Sequence, residues 1–166
     1  MLVQRVERVV GIADCKVSAT AAERLITYAL GSCLGIVVYD PLAQVAGLLH
    51  VMLPTGTIDE AQQRAHPAMF VDSGVPMLFK ACYALGAQKS RMRIVVAGGA
   101  HVDASVRADR FKIGLHNARA LDSLLCRNGV AVEASDLGGS QISRNLWIDV
   151  ANGDVTVCVN GVERRL

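Results

Sequence analysis

The chain has 166 residues, of which 52% are hydrophobic and 19% charged, a balance that excludes a disordered polar tail and a charged coil. Lys plus Arg number 17 and Asp plus Glu 15, so the formal net charge of +2 excludes the dense positive footprint of a nucleic-acid-binding domain. No apolar stretch reaches the roughly 18 residues of a membrane-spanning helix, and the opening MLVQRVERVV alternates charge with valine, unlike a secretion signal. The expectation is one cytoplasmic domain over residues 1–166, with no membrane insertion and no nucleic-acid partner.

Valines at 3, 6, 9 and 10 predict a first strand over residues 3–10. Short strands follow over 15–19 and 25–29. Leu34, Ile36 and Val38 recur at period two and end in the turn pair Asp40–Pro41. Residues 45–53 form a dense apolar run stopped by Pro54, which predicts a buried strand. Residues 54–68 are polar and aperiodic and predict a surface loop. Val75, Leu78, Phe79, Cys82 and Leu85 then share one helical face, with Pro76 placed in the first turn and Gly86 as the stop.

A strand over 92–97 leads into Gly98–Gly99, and residues 100–112 are polar and unassigned. Leu115, Ala118, Leu121 and Leu125 predict a second helix over 113–127, closed by Asn128–Gly129. A strand over 130–134 and a turn over 136–139 come next. Asn152–Gly153 between alternating segments 145–150 and 155–159 predicts a hairpin. The order is not the regular alternation of a doubly wound fold. It predicts an α+β chain, with mixed β layers packed together and helices on the outside.

The five cysteines, Cys15, Cys33, Cys82, Cys126 and Cys158, are odd in number and form no CxxC pair, so neither a disulfide framework nor a cysteine-rich zinc site is expected. Most are expected to be buried thiols. Tyr28, Tyr39, Tyr83, Phe79 and Trp147 are too dispersed for a stacking platform and are assigned to the core.

The segment TYALGSCLG stands apart, because it runs from Thr27 to Gly35 with Cys33 between glycines. Gly31 and Ser32 introduce a tight turn that leaves backbone N–H groups without ladder partners near the sulfur. Such donors suit an oxyanion and favour a thiolate. His50 sits among apolar residues in AGLLHVML, and burying an imidazole there costs free energy unless its nitrogens are bonded. The turn at Asp40–Pro41 can bring residues 33 and 50 side by side. Cys33 is then either a buried thiol in a turn or a nucleophile, His50 either a core histidine or its base, and Thr27 either an ordinary strand residue or the base's orienter.

His50, His66, His101, His116, Asp103 and Cys33 lack compact ligand spacing, so no metal and no cofactor is expected. Neither Gly98–Gly99 nor Gly138–Gly139 belongs to a phosphate-loop pattern. Gly98–Gly99 is either a plain turn or a place where a substrate backbone approaches.

GSCLGIVVYDP followed by GLLHVMLP resembles the chemoreceptor glutamine deamidase (CheD) family of bacterial chemotaxis. The resemblance continues through FVDSGVPMLFKACYALGA, the GGA at 98–100, IGLHNA at 113–118 and DLGG at 136–139 followed by Arg144, and covers roughly residues 8–160. It implies a catalytic Cys33, a base His50 and an orienting Thr27, with Ser32, Gly31, Gly98 and Gly99 around the oxyanion and the substrate's approach. It implies hydrolysis of glutamine side chains to glutamate in the cytoplasmic domain of methyl-accepting chemoreceptors. Some members also hydrolyse receptor glutamyl methyl esters, and many bind a CheC-type chemotaxis phosphatase. The implied fold resembles that of cysteine-dependent toxin deamidases. Met69-Phe70-Val71-Asp72, Val95-Val96-Ala97 and His116 depart from the family's habit, all away from the Cys–His pair. A non-catalytic chemotaxis module that binds receptor or phosphatase, and another thiol amidohydrolase, are the alternatives.

Overall fold

The computed structural model describes residues 5–102 and 112–166. Its strands are β1 (Val6–Val9), β2 (Asp14–Ser18), β3 (Glu23–Leu30), β4 (Leu34–Asp40), β5 (Val45–Val51), β6 (Arg93–Gly98), β7 (Ala134–Leu137), β8 (Arg144–Asp149), β9 (Val155–Val159) and β10 (Val162–Arg165). They build two five-stranded sheets, ordered β1-β3-β8-β9-β10 and β2-β5-β4-β6-β7. Both are mixed: β1 pairs with β3, and β6 with β7, in parallel, among otherwise antiparallel neighbours. The helices are a short α1 (Glu60–Ala65), α2 (Val71–Ala84) and α3 (Ile113–Arg127).

The arrangement is sheet on sheet with helices on one outer face, the α+β architecture expected from the sequence. Leu25 and Leu30 of β3 and Leu146 and Ile148 of β8 meet Val37, Tyr39 and Leu48 of the second sheet in one core. On the opposite face of that second sheet, Ile36, Leu49 and Val96 pack against Leu78 and Cys82 of α2 and Leu121 and Leu125 of α3. Strands β4 and β5 are therefore covered on both sides, and all their residues are buried. That is why 45–53 reads as an apolar run instead of an alternation.

The β4–β5 hairpin sets the register on which the site depends, and it is locked at its far end. Asp40 is fully buried; it accepts from the Leu42, Ala43 and Gln88 N–H groups and from the Arg91 guanidinium. Arg91 above all holds its carboxyl well below the usual carboxylate range, against the opposing effect of burial. From this end the ladder runs to Gly35↔His50 and Leu34↔Val51. A Cβ at Gly35 would come within 2.8 Å of both Leu30 and Leu146, so glycine lets the two sheets close directly opposite His50.

Several expectations shift. The expected loop 54–68 contains α1, capped by the Asp59 carboxylate on the Gln62 N–H, and a single 3-10 turn, Pro67–Met69. Helix α2 begins at Val71, so Pro76 lies in its second turn. The buried stripe of α3 is Gly114, Asn117, Leu121 and Leu125, while Leu115 and Ala118 are only half-buried. The strand expected over 130–134 lies further along as β7, which takes up residues expected to turn, and β10 was not foreseen. Its exposed, charged residues carry no alternation to read. Tyr28 and Tyr83 are 43% and 41% exposed, outside the core to which they were assigned. Among the cysteines only Cys82 is buried; Cys126 is exposed and the other three are half-buried. The valine at 3 and most of the unassigned segment 100–112 lie outside the described residues.

At the end of β6 the chain turns beneath Cys33. Gly98 has φ +118°, and a Cβ there would meet the Cys33 carbonyl oxygen at 2.1 Å. Gly98→Ala should lower stability by at least ~2 kcal/mol, since strain and overlap fall on backbone that cannot yield. Gly11→Ala, with nothing within 4 Å of the added Cβ, is the control and should stay within ~0.5 kcal/mol in urea unfolding.

Candidate active site

Thr27 on β3 and His50 on β5 belong to different sheets, and their side chains meet between them. Strand β3 is irregular between Thr27 and Leu30; Ala29 sits there at φ +57°. The irregularity exposes Tyr28 and Ala29 while Thr27 and Leu30 stay buried. Thr27 Oγ1 is 2.7 Å from the Val10 carbonyl oxygen and 2.8 Å from His50 Nδ1. A carbonyl only accepts, so the single hydroxyl proton of Thr27 goes to Val10. Thr27 must then accept from His50, which places the ring proton on Nδ1. His50 Nε2 is left with a lone pair, buried, and without a hydrogen-bond partner among the described residues. Burial pulls the His50 pKa down to about 4, so the ring is neutral at neutral pH.

Cys33 lies one residue before the β4 ladder, in the loop 31–33. The loop's carbonyls are all spoken for. Gly31 O accepts from the Ala100 N–H at 2.9 Å and Cys33 O from the Gly99 N–H at 2.9 Å. Ser32 O accepts from Asn117 Nδ2 at 3.1 Å. In a trans peptide the N–H points opposite to the carbonyl. The N–H groups of Ser32 and Cys33 are therefore turned away from β6 and α3, and neither donates to another described residue; the Cys33 N–H lies near its own thiol. A Cβ built on Gly31 meets nothing within 4 Å. Two adjacent N–H donors that serve no other residue can receive a negative oxygen.

The ladder puts His50 directly opposite Gly35 and on the inter-sheet side with Leu48; Cys33 packs against the same inter-sheet core. The thiol is not hydrogen-bonded to His50 Nε2 in this structure. Burial pushes the Cys33 pKa up, and only its own backbone N–H pulls the other way. The backbone donor favours the thiolate, as expected of the turn, but desolvation outweighs it, so thiol and imidazole are both neutral at neutral pH.

Gly98 and Gly99 lie under the loop. The space that glycine leaves at Gly98 is filled by the Cys33 carbonyl, and that at Gly99 lies 3.1 Å from the Gly114 carbonyl oxygen. The pair supports the Cys33 backbone from inside. Sequence reasoning passed over Asn117, whose Nδ2 also donates to Met52 O at 3.0 Å. Its signal was a polar residue at positions i−4 and i−8 from Leu121 and Leu125 on an apolar stripe. The Val10 carbonyl was unreadable, because a main-chain acceptor leaves no mark in a sequence. His66, His101 and His116 are exposed, and Asp103 lies outside the described residues. Among the described residues no group of three or more His, Cys, Asp or Glu side chains is placed to hold a metal.

Residues 52–158 match the family model described as CheD chemotactic sensory transduction. The chain belongs to the CheD family. It is 40% identical over 153 residues to a protein of Syntrophus aciditrophicus named as a probable chemoreceptor glutamine deamidase, covering 92% of this chain and 94% of that one. It is 38% identical to a protein of the same name in Solibacter usitatus, over 95% of this chain and 92% of the relative. A relative so named in Pyrococcus abyssi is 37% identical over 88% of this chain and 87% of its own. A crystal structure of a Neisseria meningitidis protein aligns with a TM-score of 0.46 and 11% identity, over 81% of this chain and 63% of that one. No helix among the described residues of this CheD family member is long and apolar enough to cross a membrane.

The depressed His50 pKa has a thermodynamic consequence. In the unfolded chain a histidine takes up its proton near pH 6.5, whereas in the folded protein it does so only near pH 4. Between those values the unfolded state binds more protons, so His50 costs stability as pH falls through this window and nothing above it. The expected loss is on the order of 3 kcal/mol by pH 4. Denaturant titrations from pH 8 to 4 should show a shallower decline for His50→Gln than for the unsubstituted protein.

Proposed function

We propose that this chain deamidates glutamine side chains of methyl-accepting chemoreceptors, with Cys33 as nucleophile, His50 as general base and acid, and Thr27 as the residue that orients the base. The observation that carries the reading is the relay Val10 carbonyl, Thr27 hydroxyl, His50 Nδ1–H. It leaves Nε2 as a buried, unprotonated base, on the side of the sheet where Cys33 packs against the inter-sheet core. Membership of the CheD family and the names of the relatives supply the substrate class.

The chemistry follows from these groups. As substrate enters, the thiol rotates toward Nε2, which takes its proton while Sγ attacks the carboxamide carbon. The oxygen's charge is held by the N–H groups of Ser32 and Cys33. The imidazolium gives its proton to the nitrogen, ammonia leaves, and a thioester remains. His50 then deprotonates a water that attacks the thioester carbon. The sulfur departs and recovers the proton, and the side chain is released as glutamate. No step requires a cofactor. A glutamyl methyl ester fits the same steps with methanol as the leaving group. We place the reaction in the cytoplasm, on the receptor's cytoplasmic domain, with a CheC-type phosphatase as a competing partner. We also read the two-sheet scaffold as the kind used by cysteine-dependent toxin deamidases.

Incubation with the cytoplasmic domains of the organism's chemoreceptors, read by peptide mass spectrometry, tests the reading. Defined glutamines should gain the mass of a glutamate, Cys33→Ala should abolish the change, and His50→Ala should lower it by about 10²–10⁴-fold. Thr27→Val removes the hydroxyl at nearly constant size and should cost roughly 10- to 100-fold, with Thr27→Ser retaining most activity. Unmodified glutamines in every receptor, with or without the phosphatase, would defeat the assignment.

A further inference from the structure

The β4–β5 ladder ends at Leu34↔Val51, one residue short of Cys33 on one strand and one residue past His50 on the other. Beyond that pair the strands part. The Met52 N–H turns to Met69 O at 2.8 Å, and Cys33 O turns to the Gly99 N–H. Across the gap lies one side chain from the helical layer. Asn117 is fully buried, and its Nδ2 donates to Ser32 O at 3.1 Å and to Met52 O at 3.0 Å. Both amide hydrogens are thereby used, one on each diverging strand. Because both partners are carbonyls, the nitrogen and not the oxygen must face them.

We propose that Asn117 is a positioning residue that fixes the distance between Cys33 and His50, taking over where the β ladder stops. This rests on the reading of Cys33 and His50 as nucleophile and base. Ser32 adjoins Cys33, and Met52 is two residues from His50, so the carboxamide spans the two arms that carry the pair. Its own position is set from below. A Cβ at Gly114, three residues earlier in α3, would lie 2.6 Å from both the Gly99 and Ala100 carbonyl oxygens, so only glycine lets the helix start press onto this turn. Gly99 in turn holds the Cys33 carbonyl. The helix is thus seated on the loop it clamps. Asn117 Oδ1 is buried without a partner among the described residues.

The test compares rates of Cys33 alkylation by iodoacetamide, resolved by peptide mapping, with and without His50. In the otherwise unsubstituted protein, Cys33 should react at least tenfold faster than in His50→Gln, because Nε2 draws off the thiol proton. In Asn117→Ala the ratio between the single variant and its His50→Gln double should fall toward one. Its kcat on receptor should drop roughly 10- to 100-fold with KM within twofold. Asn117→Asp keeps the volume and sets a carboxyl against two carbonyls, so it carries the test if the alanine variant does not fold. It should lose the ratio above the carboxyl's pKa and regain part of it as pH falls, since the protonated acid can donate one bond. Folded variants that keep both the alkylation ratio and kcat, with only the melting temperature lowered, would overturn the inference. A ratio of one in the unsubstituted protein would instead overturn the Cys33–His50 reading itself.

Discussion

A hydroxyl has one proton to give, and in Thr27 it is committed to the Val10 carbonyl. That commitment fixes the direction of the contact with His50, hence the ring tautomer, hence the nitrogen that keeps its lone pair. It also joins the sheets, since Val10 follows β1, Thr27 lies on β3 and His50 on β5. The remaining architecture can be seen as holding these three groups in line. The Asp40 cluster locks the hairpin that sets His50 opposite Gly35, and Gly35 lets the first sheet come close enough for Thr27 to reach. On the proposed reading a neutral orienter suits a thiol nucleophile: the base has only to take a proton from sulfur, and a buried carboxylate in place of Thr27 would cost more than a hydroxyl.

Burial has opposite effects on the pair's two members, and together they set its resting state. It depresses the imidazole and raises the thiol, so both are uncharged at neutral pH. Among the described residues, the buried side-chain polar atoms without a hydrogen-bond partner are His50 Nε2, Asn117 Oδ1 and Arg144 Nη1.

Much of this was legible in the residues. The period-two alternation at 34–38, the apolar run at 45–53 and the Asp40–Pro41 turn give the hairpin, and glycines around Cys33 give the turn. Helix α3 was readable to both ends, because Leu121 and Leu125 mark its face and Asn128–Gly129 its stop. Its buried face was misjudged, because a glycine and an asparagine carry no apolar signal. Strand β7 was misplaced for a related reason: its residues alternate half-buried and exposed, and its parallel partner β6 lies far back in the chain. The net shift of the Cys33 thiol was not legible, because desolvation depends on what packs around a residue, which its neighbours in sequence do not reveal.

The order in which the strands are strung along the chain has a consequence for biosynthesis. The second sheet is complete once residue 137 has been made, yet β3, which carries Thr27, needs β8 at 144–149 as its inner neighbour. Contacts that join such distant segments form late, after the loop-closure entropy of the whole intervening chain has been met. On the ribosome, the loop bearing Cys33 emerges long before the strand that backs its partner sheet. The nascent polypeptide therefore carries the Cys33 thiol before β8 has docked beside β3, and the Thr27–His50 contact is enclosed only once the last quarter of the chain is in place.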